Sequence, residues 1–393
     1  MKFKLNSLNL KRKRNKYLSF VLEIDPKSKK ATKNKSGIQK ILIDQMQGIG
    51  KQRINGKVAI EITAYTSTKN PPQIEKFVKN LIDIMHKKEL LADKNTESLL
   101  PFDDDKLIKF LSAKYVFIDG PSTILVKVWP FSSFISDINF IDSEIGFEEN
   151  DYENYAELVR QYNDYFDQKE HYLKIMSSEA YDCMLKLSLH DLQKSFTQTI
   201  SLTPRVITFI YPKRTRFASL FEDTTRQWAE MLIKVPVRLQ LPGIPIDDKT
   251  DEEYKTSYKA SIKTQMEAYL DRYKVLQDLQ SPIIVSVFYC PPTKLKSHYK
   301  DIDNIMLEYV VPGINQVFLP PITLFNLDPG RFKTVAPKSL HGSAIGYEII
   351  ELPHKFDDSG TGYIALGFKM DTGDTSTMEY VDRTISRYLS SDH

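Results

Sequence analysis

Residues 296–306 read KSHYKDIDNIM. Asp301 and Asp303 stand two apart, Lys300 precedes them and Asn304 follows, just downstream of the apolar run IIVSVFYC. At a strand end or turn, residues i and i+2 can project the same way. Two carboxylates so placed repel unless a cation lies between them. Mg²⁺ takes hard oxygen ligands, typically one or two protein carboxylates with water and phosphate completing the shell. Such an ion polarises a phosphate and lowers the pKa of bound water. Asn304 is suited to hold a carboxylate or the backbone in place. The competing interpretation is a turn with two solvated acids, and the motif alone fits both.

The elements that must position these residues are legible from periodicity. YLSFVLEI (17–24), KVAIEITAY (57–65), KFLSAKYVFI (109–118) and TILVKVWP (123–130) alternate as strands. IQKILIDQM (38–46) and QIEKFVKNLIDIM (73–85) have helical spacing, the latter with Ile74, Phe77, Val78, Leu81, Ile82 and Met85 on one face. Residues 141–200 are acidic and rich in Tyr, with helical patterns in YAELVRQYNDYF and YDCMLKLSLHDLQKSF. Beyond them RVITFIY (205–211) reads as a strand, TTRQWAEMLIKV as a helix, 247–280 as a charged helical excursion, and IIVSVFYC, YEIIEL and YIALGFKM as strands. The two outer zones share an order: strand, basic loop with Pro-Lys, helix, strand, Pro-Pro, helix, then two strands across an Asp/Gly turn. That order points to an internal duplication.

KDIDNIM opening a helix after an apolar strand resembles the RusA-like family of Holliday-junction resolvases. That family's core carries a Lys/Pro-Asp-x-Asp-Asn motif at a helix start, an assisting Lys in that helix and a later Asp-Asp pair before a strand. The resemblance covers about 17–130 and about 204–371. It implies an α+β fold: two RusA-like mixed α/β domains forming an intramolecular pseudo-dimer, with an inserted helical segment. The division is then 1–140, a helical insertion at 141–203, and 204–393. It also implies Mg²⁺ as cofactor and branched or duplex DNA as partner.

The departures are informative. In the first half Gln73, Glu75 and Lys76 stand where the family has Asp, Asp and Asn, while Lys79 keeps the helical Lys and Asp104 and Asp105 the acid pair. In the second half Asp301, Asp303 and Asn304 are kept, but Leu307 replaces the Lys, and Gly342 and Ser343 stand where acids belong. Two outcomes are open. The halves assemble one composite site, with Asp301, Asp303 and Asp105 as metal ligands and Asp104, Asn304 and Lys79 around them. Otherwise catalysis has decayed and the scaffold serves binding. Asp328, Glu348 or Glu351 would be an alternative third ligand within the second half.

The loops KSKKATKNK (27–35) and PKRTR (212–216) offer phosphate contacts, through Lys27, Lys29, Lys30, Lys213, Arg214 and Arg216 together with Lys300. The alternative is a pair of solvated turns. Phe217 is a candidate for base stacking or a core position. His298 and His341 flank the motif as exposed loop residues or general acids. GIGKQR lacks the length and the Ser/Thr of a P-loop.

Charge is nearly balanced overall, 54 Lys and Arg against 51 Asp and Glu, but unevenly spread. Residues 1–60 hold 16 basic and 3 acidic residues, and 141–170 hold 2 and 10. The basic head suits a polyanion, and the acidic helices suit a protein partner. Two distant cysteines, Cys183 and Cys290, exclude a disulfide framework and a cysteine-rich zinc site. With no apolar stretch near ~18 residues, a cytoplasmic protein without membrane contact is expected. The functional expectation is a DNA-binding protein of the RusA-like lineage, with weak or lost Mg²⁺-dependent endonuclease activity on branched DNA. The alternative is a non-enzymatic assembly protein, of phage or mobile-element type.

Overall fold

The computed structural model describes residues 2–68, 71–91, 93–147, 155–213, 222–243, 252–277, 282–293, 301–315, 317, 344–371 and 376–391. The first part of the chain gives α1 (Lys2–Arg14), β1 (Leu18–Leu22), α2 (Lys35–Gly48), β2 (Val58–Thr66), α3 (Ile74–His86), β3 (Ile108–Phe117), β4 (Thr123–Pro130) and α4 (Phe131–Phe140). The acidic zone gives α5 (Tyr155–Asp167), α6 (Lys169–Ile175) and α7 (Ser178–Ile200), helical as their spacing requires. Then follow α8 (Pro204–Ile210), α9 (Glu222–Ile233), β5 (Leu239–Pro242), α10 (Glu252–Arg272) and β6 (Ile283–Cys290). A helical run comes next: α11 (Ile302–Ile305), a π-turn over Met306–Val310 and α12 (Val311–Ile314). The chain closes with β7 (Ala344–Glu351), β8 (Tyr363–Met370) and α13 (Thr377–Ser390).

One expectation fails at residues 205–211, where 205–210 are helical and Tyr211 is the C-cap. Thr203 caps α8 by accepting from the Val206 N–H, and Pro204 occupies the first turn. Val206, Ile207 and Ile210 are buried on one side, a helical spacing that a short apolar run hides. The strand at this place in the sheet is the four-residue β5, which the sequence reading missed.

All eight strands form one mixed sheet in the order β1-β4-β2-β3-β7-β6-β8-β5. From either edge inward the pairings repeat. β2 runs parallel to β3 and β6 parallel to β7, and each pair slips register after its first residue, at Val58/Ala59 and Ile283/Ile284. β4 is antiparallel to β2 as β8 is to β6. The two sets of four meet in the antiparallel β3–β7 ladder, with Ser112 opposite Glu348 near its middle.

Helices cover both faces. On one, α2, α3, α5, α7, α10 and the 302–314 run pack on Ile60, Ile62, Leu111, Val287 and Ile349. On the other, α1, α4, α8, α9 and α13 pack on Ala59, Phe110, Trp129, Phe288 and Ile350. α7 lies along β8. The α13 N-terminus straps the second face across both sets: the Thr377 N–H and hydroxyl donate to Glu348, and the Ser376 hydroxyl to Glu61. Buried carboxylates at a helix N-terminus are favourably placed for its dipole.

Candidate metal centre

Two helix starts set the centre. β6 ends at Cys290, level with Tyr363 of β8, and leads towards α11. Asp357 in the β7–β8 loop fixes the exit from β6 by accepting from the N–H groups of Thr293 (2.7 Å) and Gly362 (2.9 Å). Gly362 has a φ of +69°, and a Cβ there would lie 2.5 Å from the Cys290 carbonyl oxygen, so only glycine fits this turn. Asp301 is the N-cap of α11, yet its side chain makes no capping hydrogen bond. An Asp at this position usually caps its helix. Here the carboxylate lies with those of Asp303 and Asp105, one ligand atom from each falling within 4.8 Å of the others.

Asp105 reaches the cluster from the short 3₁₀ turn Asp105–Leu107 that enters β3. Because β7 is antiparallel to β3 and parallel to β6, the start of β3 and the end of β6 share one end of the sheet. α3 and α11 pack together on that face. From α3, Lys79 Nζ donates to Asp105 and to Asp303, each at 2.9 Å. Asp303 is 1% exposed, and its Oδ1 accepts from the Asn304 backbone N–H at 2.8 Å.

The electrostatics follow from this crowding. Burial, reinforced by the charges of Asp105 and Asp303, pushes the Asp301 carboxyl up to about 7. Burial also raises Asp303, against the opposing pull of Lys79. For Asp105, burial is outweighed by the Lys79 hydrogen bond and charge, so its pKa is lowered. Burial works against the Lys79 charge, but its two carboxylates overcome it and raise its pKa. Asp83, one helical turn beyond Lys79, adds a second cluster: it meets Lys29 at 3.0 Å, Lys87 at 3.2 Å and Lys79 at 3.5 Å. Burial raises the Asp83 pKa, the ammonium groups lower it more, and the net shift is downward. The sequence reading did not single out Asp83; the signal was a Lys-x-x-x-Asp spacing on a helix whose buried side also carries Glu75 and Asn80.

The sequence candidates divide accordingly. Asp105, Asp301, Asp303 and Lys79 come together from both halves. Asp104 is not one of the three grouped carboxylates: it is exposed, caps the 3₁₀ turn through the Lys106 N–H and touches the cluster only through Asp105. Asn304 serves Asp303 through its backbone rather than its amide. Glu348 faces the other side of the sheet against Thr377, and Glu351 pairs with Lys109 at 2.7 Å, so neither supplies a third ligand. Lys27 and Lys30 are exposed, and the Lys27 carbonyl accepts from Asn80 of α3, which seats the 27–30 loop beside the centre. Lys213 lies elsewhere, in a cleft with α1 and α4. Arg214, Arg216, Phe217, His298, Lys300, Asp328, His341, Gly342 and Ser343 lie outside the described residues.

Three carboxylates with hard oxygens suit Mg²⁺ or Mn²⁺. They suit neither a soft metal nor a solvated turn, because Asp303 is buried. No family model, curated protein or solved structure matches the chain. Among the described residues no helix is long and apolar enough to cross a membrane.

Proposed function

We propose that this chain is a DNA-binding protein of the RusA-like nuclease lineage, built as an intramolecular pseudo-dimer. Its two halves share one Mg²⁺-dependent phosphodiesterase centre for branched DNA. The observation that carries the proposal is the meeting of Asp301 and Asp303 with Asp105 and Lys79 across the β3–β7 ladder. The repeated pairings on either side of that ladder support the duplication. Asp105, Asp301 and Asp303 would hold the ion, which would polarise a bound phosphate and acidify a bound water. Lys79 balances the cluster's charge and is placed to meet negative charge on the phosphate. The Lys29 and Lys87 ammonium groups neutralise Asp83 and limit its repulsion of a polyanion.

The opposite helix start lacks a matching set. Gln73 and Glu75 stand where Asp301 and Asp303 do, and Gly342 and Ser343 stand in place of the acid pair. One living centre per chain cuts one strand per encounter, so the expected product is a nick rather than paired symmetric cuts. The test uses strand-labelled four-way-junction DNA in Mg²⁺ and Mn²⁺, with wild type and Asp301→Ala/Asp303→Ala. Nicking that disappears in the double variant supports the proposal. Binding without cutting reduces it to a DNA-binding scaffold. Absence of both removes the DNA reading altogether.

A second reading, a non-enzymatic assembly protein, has its own support. The acidic helices α5–α7 leave Phe166, Leu173, Ile175 and Leu187 exposed, side chains suited to a protein partner. Failure of the junction assay would leave this reading in place.

A further inference from the structure

On the sheet face opposite the acidic centre, α1, α4 and the segment after α8 enclose a cleft of about 610 Å³. Four cationic side chains line it: Arg12, Lys13 and Lys16 from α1 and its end, and Lys213. No acidic residue lines it; the remaining wall is Asn, Ser and apolar side chains. Behind it, Asp137 is fully buried and accepts from the Tyr17 hydroxyl at 2.5 Å.

The cleft is fastened on each side. Lys13 donates to the Ser136 hydroxyl and ties α1 to α4. Asn139 donates to the Tyr211 carbonyl at 3.1 Å and seats Pro212 and Lys213 against α4. The Tyr211 hydroxyl in turn donates to the Glu351 carbonyl at the end of β7. Four like charges on one recess repel each other in the free protein, and an anion relieves that repulsion.

The cleft and the acidic centre open at the same end of the sheet. Lys16 precedes β1, whose Leu18 pairs with Val128 near the end of β4, and α4 begins directly after Pro130. Pro130 pairs with Val58, and Val58 with Ile108, the residue that Asp105 leads into. From β1 to β3 is three strand spacings, roughly 14 Å. A single phosphate cannot serve both positions. A polynucleotide strand rising ~3.4 Å per nucleotide can, by passing over the sheet end.

We propose that this cleft is a second phosphodiester-binding site, which grips the flank of a nucleic acid whose other part lies at the acidic centre. It rests on the nucleic-acid reading above and adds residues which that reading does not require. The experiment measures binding of full-length protein to fluorescein-labelled junction DNA across a KCl series. Wild type is compared with Arg12→Ala/Lys13→Ala/Lys16→Ala/Lys213→Ala. A double reversal at two exposed positions, Arg12→Glu/Lys16→Glu, leaves the Lys13–Ser136 tie intact and guards against misfolding, with far-ultraviolet circular dichroism as the check. Each lost phosphate contact flattens the log K against log salt slope by ~0.9. The quadruple variant should therefore lose about 3.6 units of slope and at least about tenfold in affinity at 0.1 M salt, and the reversal should weaken binding further per site. Mn²⁺ binding at the acidic centre should not change. An unaltered slope with normal wild-type binding overturns the second site and leaves the nucleic-acid reading standing. Wild type that binds no DNA overturns both. Anionic phospholipid vesicles form the control arm: if the substitutions abolish vesicle binding and spare DNA, the site is a lipid-headgroup site and the proposal fails.

Discussion

Two buried acids, Glu75 and Asp303, occupy the same place in the two halves, each two residues past the N-cap of its helix. Their surroundings differ. Asp303 meets Lys79 at 2.9 Å and its own helix N–H. Glu75 is 1% exposed, and neither of its oxygens has a hydrogen-bond partner among the described residues. Burial pushes the Glu75 carboxyl up to about 7, only partly opposed by its backbone N–H and by Lys76. Lys79 itself belongs to the first half, yet it serves the second half's acid. The Lys79 ammonium reaches across the β3–β7 ladder to Asp303, while Glu75 has only the more distant charge of Lys76 and no hydrogen-bonded cation among the described residues.

The comparison is broken most severely by Lys79→Met. Breaking a buried ion pair from one side costs about 3–5 kcal/mol. The variant should melt well below wild type in EDTA and recover most of the loss in Mn²⁺, because a divalent ion then supplies the missing charge. Equal melting temperatures in EDTA would show that the carboxylates do not depend on Lys79.

Glu75→Gln should act in the opposite direction. The folded carboxyl, at about 7, lies above its ordinary 4.5, so the folded protein holds a proton that the unfolded chain releases. Stability is then lost as pH rises from about 4.5 to about 7. Removing the carboxylate should stabilise the protein by about 3 kcal/mol near pH 8 and by nothing near pH 4. Urea melts at the two pH values decide it; a pH-independent change would mean that Glu75 has a partner in solution.

The smallest effect separates neighbours. Asp105→Asn should weaken Mn²⁺ binding by at least the ~10-fold that loss of even an outer-shell partner costs, while Asp104→Asn should leave it within about twofold. Isothermal titration with Mn²⁺ measures both, and equal losses would put Asp104 inside the centre.

Much of the scaffold is legible in the sequence. The stripe Ile74, Phe77, Val78, Leu81, Ile82 and Met85 is buried as its spacing requires, and β2, β3, β4, β6, β7 and β8 fall where alternation put them. The failure at α8 has a local cause, since seven mostly apolar residues suit a buried strand and a capped helix equally, and Pro204 with Thr203 decided for the helix. α1, α4 and α13 were missed altogether. α1 has too many cations to show an apolar stripe, and among its described side chains Leu10 joins the core.

The element order that the sequence suggested for the second half broke at 205–211, where α8 stands and β5 takes the strand's place. The sequence by itself determined the acids at the start of α11, the buried stripe of α3 and the central strands. Those are local properties, set by spacing along a few turns or strand residues. Only the tertiary structure decided that Lys79 and Asp303, 224 positions apart, share a hydrogen bond, and that Asp105 rather than Asp104, Glu348 or Glu351 completes the cluster. The physical reason is the antiparallel joining of β3 to β7. It places the start of one central strand beside the helix that follows the other half's strand, and no periodicity along the chain encodes which edges of two sheets will meet.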